Sequence, residues 1–323
     1  MEPIYNGARD TQTSDQKARN YSQTEFVSGP APVTWVEKPQ ASWRKFSQRD
    51  QDSSGMCVVM TEATERGILA LQKYSEWLDF SSSFLYQQRK YPTLAGCTSE
   101  DVYSIFPKIG DVFEKDMPSQ LMNDVAAMAV PRLPYFSDVA KVFTAVRIQL
   151  PIDFETVAST VQQTGKGVMC WFHFSHDEWT ATPQVLPQPT TSGHSVTVVD
   201  FTLVQGKKYL VIQDSWSLPL SMNGLRLISE EYFAARCFLA SYLMNFQLQA
   251  SAAPLCPHFD GSIVSAQECF KWEGFFPLNI ADVENWGNIT RAACIKFQIK
   301  YGITPAAGNF GPITKAKLLE LYP

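Results

Sequence analysis

Apolar positions along the chain follow a helical pattern in the first half and a strand pattern after it. Residues 1–30 are rich in Gln, Thr, Ser, Asn, Asp and Arg, show neither period, and end in the breaker Gly29-Pro30-Ala31-Pro32, which predicts an extended arm. A polar turn, Gln51-Asp52-Ser53-Ser54-Gly55, then changes abruptly into Met56-Cys57-Val58-Val59-Met60 with further apolar positions at Ile68, Leu69, Leu71 and Leu78. That is a loop feeding a buried helix with Cys57 in its first turn. From about 80 to 165 the signals are mainly helical, with starts at Ser99-Glu100-Asp101 and at Asp153. Strand signals take over at 167–174, 195–201 and 209–214, the last two joined as a hairpin through Val204-Gln205-Gly206-Lys207-Lys208. Helices first and strands later predict an α+β fold with a helical lobe and a β-rich lobe.

Small residues and two prolines interrupt the pattern over 249–257, which predicts a linker. Beyond it Gly287-Asn288-Ile289-Thr290-Arg291-Ala292 recurs 24 residues later as Gly311-Pro312-Ile313-Thr314-Lys315-Ala316, each time ahead of a helical pattern. Thr290 and Thr314 are expected to cap those helices through their hydroxyls. The expected organisation is therefore an arm (1–30), a main domain (31–248), a linker (249–261) and a small helical domain with an internal duplication (262–323).

At 323 residues the chain has room for about two domains, and its 45% hydrophobic and 18% charged content fits folded globular domains. A net charge of -5 offers no general attraction to phosphate backbones, so nucleic acid is not an expected partner. No apolar run is long enough to span a membrane, and the polar start, 1–20, lacks the layout of a signal peptide. Seven widely spaced cysteines, without a C-x-x-C pair, predict neither a disulfide scaffold nor a thiolate zinc site and leave at least one thiol free.

A thiol attacks as its thiolate, and a helix N-terminus favours that anion. Catalysis by Cys57 further needs an imidazole base, an acceptor that orients it, and a donor for a developing oxyanion. His194, just ahead of an apolar strand, is the candidate base; Asp214, at the end of the next strand, is the candidate acceptor. Gln51, six residues before Cys57 across the loop, is the candidate oxyanion donor, and Trp216 is placed to cover the His–Asp contact. His173-x-x-His176-Asp177-Glu178 has ligand-type residues, but a strand would put the two histidines on opposite faces, so no metal and no cofactor is expected.

Gln51-Asp-Ser-Ser-Gly-Met-Cys57, His194-Ser195-Val196 and Asp214-Ser215-Trp216 together resemble, in order and separation, the active-site segments of papain-like cysteine peptidases. Ser83-Phe84-Leu85-Tyr86 and Asn223-Gly224-Leu225-Arg226-Leu227 add lesser similarities, and the resemblance covers about 30–245. It implies a two-lobed papain-like fold and peptide-bond hydrolysis through an acyl-enzyme. Three departures stand out: Asp214 where the family usually has Asn, Ser54 where it has a disulfide cysteine, and Thr98-Ser99-Glu100 in place of its glycine pair. The second implies that Cys97 is unbridged.

Residues 262–323, with Phe297-Gln298, Gly302-Ile303 and Asn309-Phe310-Gly311-Pro312-Ile313-Thr314, resemble the small three-helix peptidoglycan-binding domain. The two resemblances imply a peptidase directed to the bacterial wall, with a peptide or peptidoglycan stem peptide as substrate and Phe297, Gln298, Phe310, Gly311 and Thr314 in the wall-binding module. A phage lysin or virion-associated hydrolase fits this expectation, acting at the wall from the virion or the host cytoplasm, with virion proteins as partners. The contrasting reading is a catalytically weakened papain-like body serving as a structural or adhesion protein of a virion.

Overall fold

The computed structural model describes residues 7–13, 31–133, 136–190, 192–216, 222, 224–246, 258–276 and 284–323. The chain divides into two compact units, Met1–Leu248 and Gln249–Pro323.

In the first unit the arm contributes strand β1 (Ala8–Arg9), and the helical side is built on α1 (Cys57–Tyr74). Buried from Cys57 to Ala70, α1 ends at Ser75, whose left-handed φ of 57° closes the last turn. Following it are α2 (Ser82–Gln87), the short strand β2 (Cys97–Thr98), a π-helical turn (Asp101–Ile105) leading into α3 (Phe106–Ile109), α4 (Asp124–Ala129) and α5 (Phe136–Lys141). Ser81 and Asn123 cap α2 and α4 by accepting from Phe84 N–H and Ala126 N–H. Met56, Val59, Phe84, Leu85, Val102 and Phe106 form the core beneath this side.

The rest of the unit is one sheet of β3 (Ala145–Leu150), β4 (Val168–Phe174), β5 (Ser192–Val204), β6 (Lys207–Gln213), β7 (Leu225–Ser229) and β8 (Cys237–Phe246), with α6 (Phe154–Thr164) and α7 (Glu230–Arg236) in its connections. Its order is β3-β8-β4-β5-β6-β7, and every pairing is antiparallel. Asp153 caps α6, and Val157 and Val161 of that helix pack with Phe172, Val198, Leu210 and Ile212 of the sheet.

β3 corrects the helical expectation for 80–165. Its polar members Arg147 and Gln149 are buried, and the burial of Arg147 is possible because its guanidinium reaches Glu62 and Glu65 of α1, each at 2.5 Å. Arg66 closes the cluster with Glu62 at 2.9 Å. Charges so deep are tolerated only when paired, and the pairing fixes α1, and hence Cys57, against the sheet.

The second unit contains α8 (Ile263–Trp272), α9 (Asn288–Lys300) and α10 (Pro312–Leu321) around Phe259, Cys269, Phe270, Cys294, Phe297, Leu318 and Tyr322. Its duplication is a hydrogen-bond arrangement used twice. Gln267 Nε2 donates to Thr290 Oγ1 and Asn285 O at 2.9 and 3.1 Å, and Gln298 Nε2 donates to Thr314 Oγ1 and Asn309 O at 2.9 and 3.0 Å. Thr290 and Thr314 therefore do not cap: the N-cap positions are Gly287 and Gly311, and the threonine hydroxyls, inside the first turns, receive a glutamine from the preceding helix. Phe297, Gln298 and Thr314 are buried, while Phe310 stacks on Trp286 at 4.6 Å between ring centroids. Among the described residues no helix is long and apolar enough to cross a membrane.

Candidate active site

The loop before α1 folds on itself: Ser54 N–H and Oγ–H both donate to Gln51 O, and Gln51 N–H donates to Ser215 O at 3.0 Å. This holds the 51–56 segment beside the end of β6 and starts α1 at Cys57. No side chain caps that end of the helix, so the positive end of its dipole and its unpaired first-turn N–H groups lie beside Cys57.

His194 arrives from β5, opposite Phe172 of β4, and the β5–β6 hairpin carries Asp214 to it. His194 Nε2 and Asp214 Oδ1 are 2.8 Å apart, and the Cys57 thiol stands close enough to the ring to favour its charge. With Nε2 committed to the carboxylate, Nδ1 is the nitrogen left for the thiol. The structure thus brings Cys57, His194 and Asp214 together. Burial opposes a charge on His194, but the Asp214 carboxylate, its hydrogen bond to the ring and the nearby Cys57 thiol outweigh it and push the ring up to about 9. Burial alone would raise Asp214, yet the His194 charge and hydrogen bond, then Arg226 and Trp179, hold it well below the usual carboxylate range.

Trp216 lies 5.0 Å from the His194 ring, centroid to centroid, and its N–H donates to Asp214 Oδ1 at 3.2 Å. Gln51 differs from expectation in one respect: its amide nitrogen donates within the loop to Ser54 O at 2.7 Å, and its Oε1 accepts from Ser215 Oγ at 2.6 Å. One of its two N–H groups is thereby used, leaving the other for an oxyanion. His173 stacks on Phe238 at 4.0 Å, and His176 lies past the end of β4 beside Trp216.

Two residues of this site escaped the sequence reading. Trp179 packs edge-on to His194 at 5.2 Å and donates Nε1–H to Asp214 Oδ2 at 2.7 Å. Arg226, fully buried on β7, donates Nε–H to the same oxygen at 2.6 Å. The available signal was an arginine set in the apolar run Leu225-Arg226-Leu227-Ile228, a charge that demands a buried partner.

The arm is not patternless where it is described. Gly7 O accepts from Cys97 N–H at 2.8 Å, and β1 pairs in parallel with β2, Ala8 opposite Cys97 and Arg9 opposite Thr98. Thr11 N–H donates to Ser99 Oγ at 2.7 Å, so part of the Thr98-Ser99-Glu100 segment serves to bind the arm. A Cβ on Gly7 would stand 2.5 Å from Cys57 Sγ, and one on Gly193 would stand 2.3 Å from Ala8 O. The arm passes directly over the thiol, between it and the strand bearing His194, and leaves Cys57 1% exposed. Cys97 is a free, buried cysteine whose thiol is raised well above its ordinary value, by burial first and then by Asp101.

No family model matches the chain, and no curated protein sequence does. Solved structures do. Xylellain, a cysteine protease from Xylella fastidiosa, is similar at a TM-score of 0.55 and 14% identity, over 68% of this chain and 94% of that one. Digestive procathepsin L 3 of the Tenebrio molitor larval midgut is similar at 0.54 and 21%, over 74% and 76%. The cysteine protease and lectin-like domains of Cwp84, a surface layer associated protein of Clostridium difficile, are similar at 0.53 and 14%, over 74% of this chain and 61% of that one. With its helical side, its antiparallel sheet and the thiol, imidazole and carboxylate gathered between them, the first unit has the papain-like fold.

Proposed function

We propose that the chain is a cysteine peptidase that is latent while residues 7–13 lie over its thiol. The observation that carries this reading is the continuous relay from Cys57 at the start of α1 through His194 to Asp214. With the arm displaced, the Cys57 thiolate attacks a peptide carbonyl, and the oxyanion is received by the Cys57 N–H and the remaining Gln51 N–H. His194 then gives its Nδ1 proton to the leaving amine, and water, activated by the same ring, releases the acyl-enzyme. The parallel run of the arm, paired with β2, lays a peptide of this chain over the thiol.

The substrate we propose is peptide in the bacterial wall, with residues 262–323 as the wall-binding module. Support comes from the likeness of that segment to peptidoglycan-binding domains and from the surface-layer setting named for Cwp84. Gln298 and Thr314 would hold the Asn309–Thr314 turn in shape for that role, rather than touch the ligand. The test is release of free amino groups from purified sacculi and from a soluble polypeptide by the Gly7→Ala chain, in which the added methyl displaces the arm from the thiol, and by the same chain carrying Cys57→Ala. Turnover that survives Cys57→Ala sinks the thiol mechanism. Turnover on the polypeptide with none on sacculi removes the wall substrate alone. The contrasting structural or adhesive role predicts no turnover in either assay.

A further inference from the structure

Asp214 is a carboxylate where a neutral amide would serve, and it is buried. An unbalanced negative charge there would bind the His194 proton too firmly for a ring that must later release it to a leaving amine. Asp214 Oδ1 accepts from His194 Nε2 and from Trp216 N–H, while Oδ2 accepts from Trp179 Nε1 and from Arg226 Nε. The β6–β7 register fixes that last contact, because Ile212 faces Arg226 and Gln213 faces Leu225, which sets the arginine beside the end of β6. Its Nη1 donates to Thr180 O at 2.7 Å, so the same guanidinium secures the turn from which Trp179 reaches the carboxylate.

We propose that Arg226 is a positioning residue of the peptidase: it cancels the charge of Asp214 and fixes its rotamer, so that the pair presents to His194 what a neutral acceptor would. The inference rests on the peptidase reading for its purpose, but not for its test. With Arg226 in place, Cys57, His194, Asp214 and Arg226 sum to zero formal charge both as thiol–imidazole and as thiolate–imidazolium. Proton transfer between sulfur and ring then leaves the net buried charge unchanged. Without Arg226 both states carry an uncompensated negative charge in a site closed to water, and without Asp214 both carry an uncompensated positive one.

Other groups around the ring are few. Cys57 faces it from α1, and His176 lies beyond Trp216. Arg49 shares a small cavity with Asp214. Tyr232 of α7 and the Glu178–Arg236 pair stand behind Trp179. None of these is bonded to the Asp214 carboxylate, so Arg226 is the cation placed to balance it.

The chain has four histidines, so [13Cε1]-histidine labelling of the full-length protein gives four titrating signals, and His194→Gln identifies one of them. Arg226→Met should raise the His194 midpoint by about one pH unit, roughly tenfold in proton affinity. Asp214→Asn should lower it, and Asp214→Asn with Arg226→Met should return it to within about half a unit of the parent. Arg226→Lys, which keeps the charge but not the planar fork, should stay near the parent. A midpoint unchanged or lowered by Arg226→Met overturns the proposal, as does a double variant that stays where Asp214→Asn lies. Where Arg226→Met does not fold, the comparison of Asp214→Asn with the double variant decides. No substrate enters these measurements. The expected shifts without turnover by the Gly7→Ala chain refute the peptidase reading alone, and an active chain without the shifts refutes the role of Arg226 alone.

Discussion

Gly7→Ala is the sharpest perturbation of the proposed latent state, because it adds one methyl at the point where the arm meets the thiol. The methyl carbon would lie 2.5 Å from Cys57 Sγ and 3.0 Å from Gly193 O. Favourable contact between heavy atoms begins near 3.5 Å, so either the arm or the sulfur must move by about 1 Å. Neither is free to do so: Cys57 begins a buried helix, and the arm is fixed by Cys97 N–H to Gly7 O at 2.8 Å and Thr11 N–H to Ser99 Oγ at 2.7 Å. Overpacking of this kind costs about 1–3 kcal/mol. Charged against the closed state alone, it multiplies the open population roughly 5- to 150-fold. Iodoacetamide reads that population, since Cys57 is 1% exposed while the arm is down. The modification rate of the Cys57 peptide, followed by mass spectrometry, should rise by that factor, with Cys170 and Cys294 unaffected. Equal rates for parent and variant would refute the arm as the barrier, and an equal rise at every cysteine would replace it with general loosening.

Three further outcomes follow from the buried polar groups. His194 is raised from an ordinary 6.5 to about 9, so the stability tied to its charge is fully present below pH 6.5 and lost as pH rises through about 9. Its size is on the order of 3 kcal/mol, and urea midpoints of the parent should fall over that window while those of His194→Gln stay flatter. Arg147→Met takes the cation from buried Glu65 of α1 and leaves Glu62 with Arg66 alone, and should cost about 3–5 kcal/mol, read as lost hydrogen-exchange protection along 57–74, with Glu62→Gln as the milder partner. Gln298→Ala leaves Gly308 N–H and Asn309 O without their shared partner and should cost about 1–3 kcal/mol, seen as faster exchange across 288–321 with the amides of the first unit unchanged.

Much of the site was legible because its signals are local or nearly so. A polar loop running into an apolar helix announces Cys57, and two apolar strands joined by Gln205-Gly206 place His194 and Asp214 on neighbouring strands without further information. The same local reading failed where a polar residue answers to a distant one. Arg147 and Gln149 disguise β3 as something other than a buried strand, because the carboxylates that admit Arg147 are 82 and 85 positions away. Thr290 resembles a cap until Gln267, 23 positions earlier, is seen to hold its hydroxyl.

Trp179 and Arg226 fall under the same rule, at 35 and 12 positions from Asp214. An arginine in an apolar strand states that a counter-charge is buried nearby, and an aspartate where the peptidases it resembles usually have asparagine states that an extra charge needs balance. Neither statement alone names the other residue. Antiparallel register joins them, since strands paired as Gln213 with Leu225 set Asp214 and Arg226 on adjoining segments of the sheet. The arm is the opposite case. It is bound mainly through its backbone, so no side-chain period announces it, and the one residue type that betrays it is glycine, at position 7 on the arm and at 193 on the wall it passes. Polar substitutions in buried strands and glycines facing a thiol are therefore better read in pairs, each as a demand that a residue elsewhere must meet.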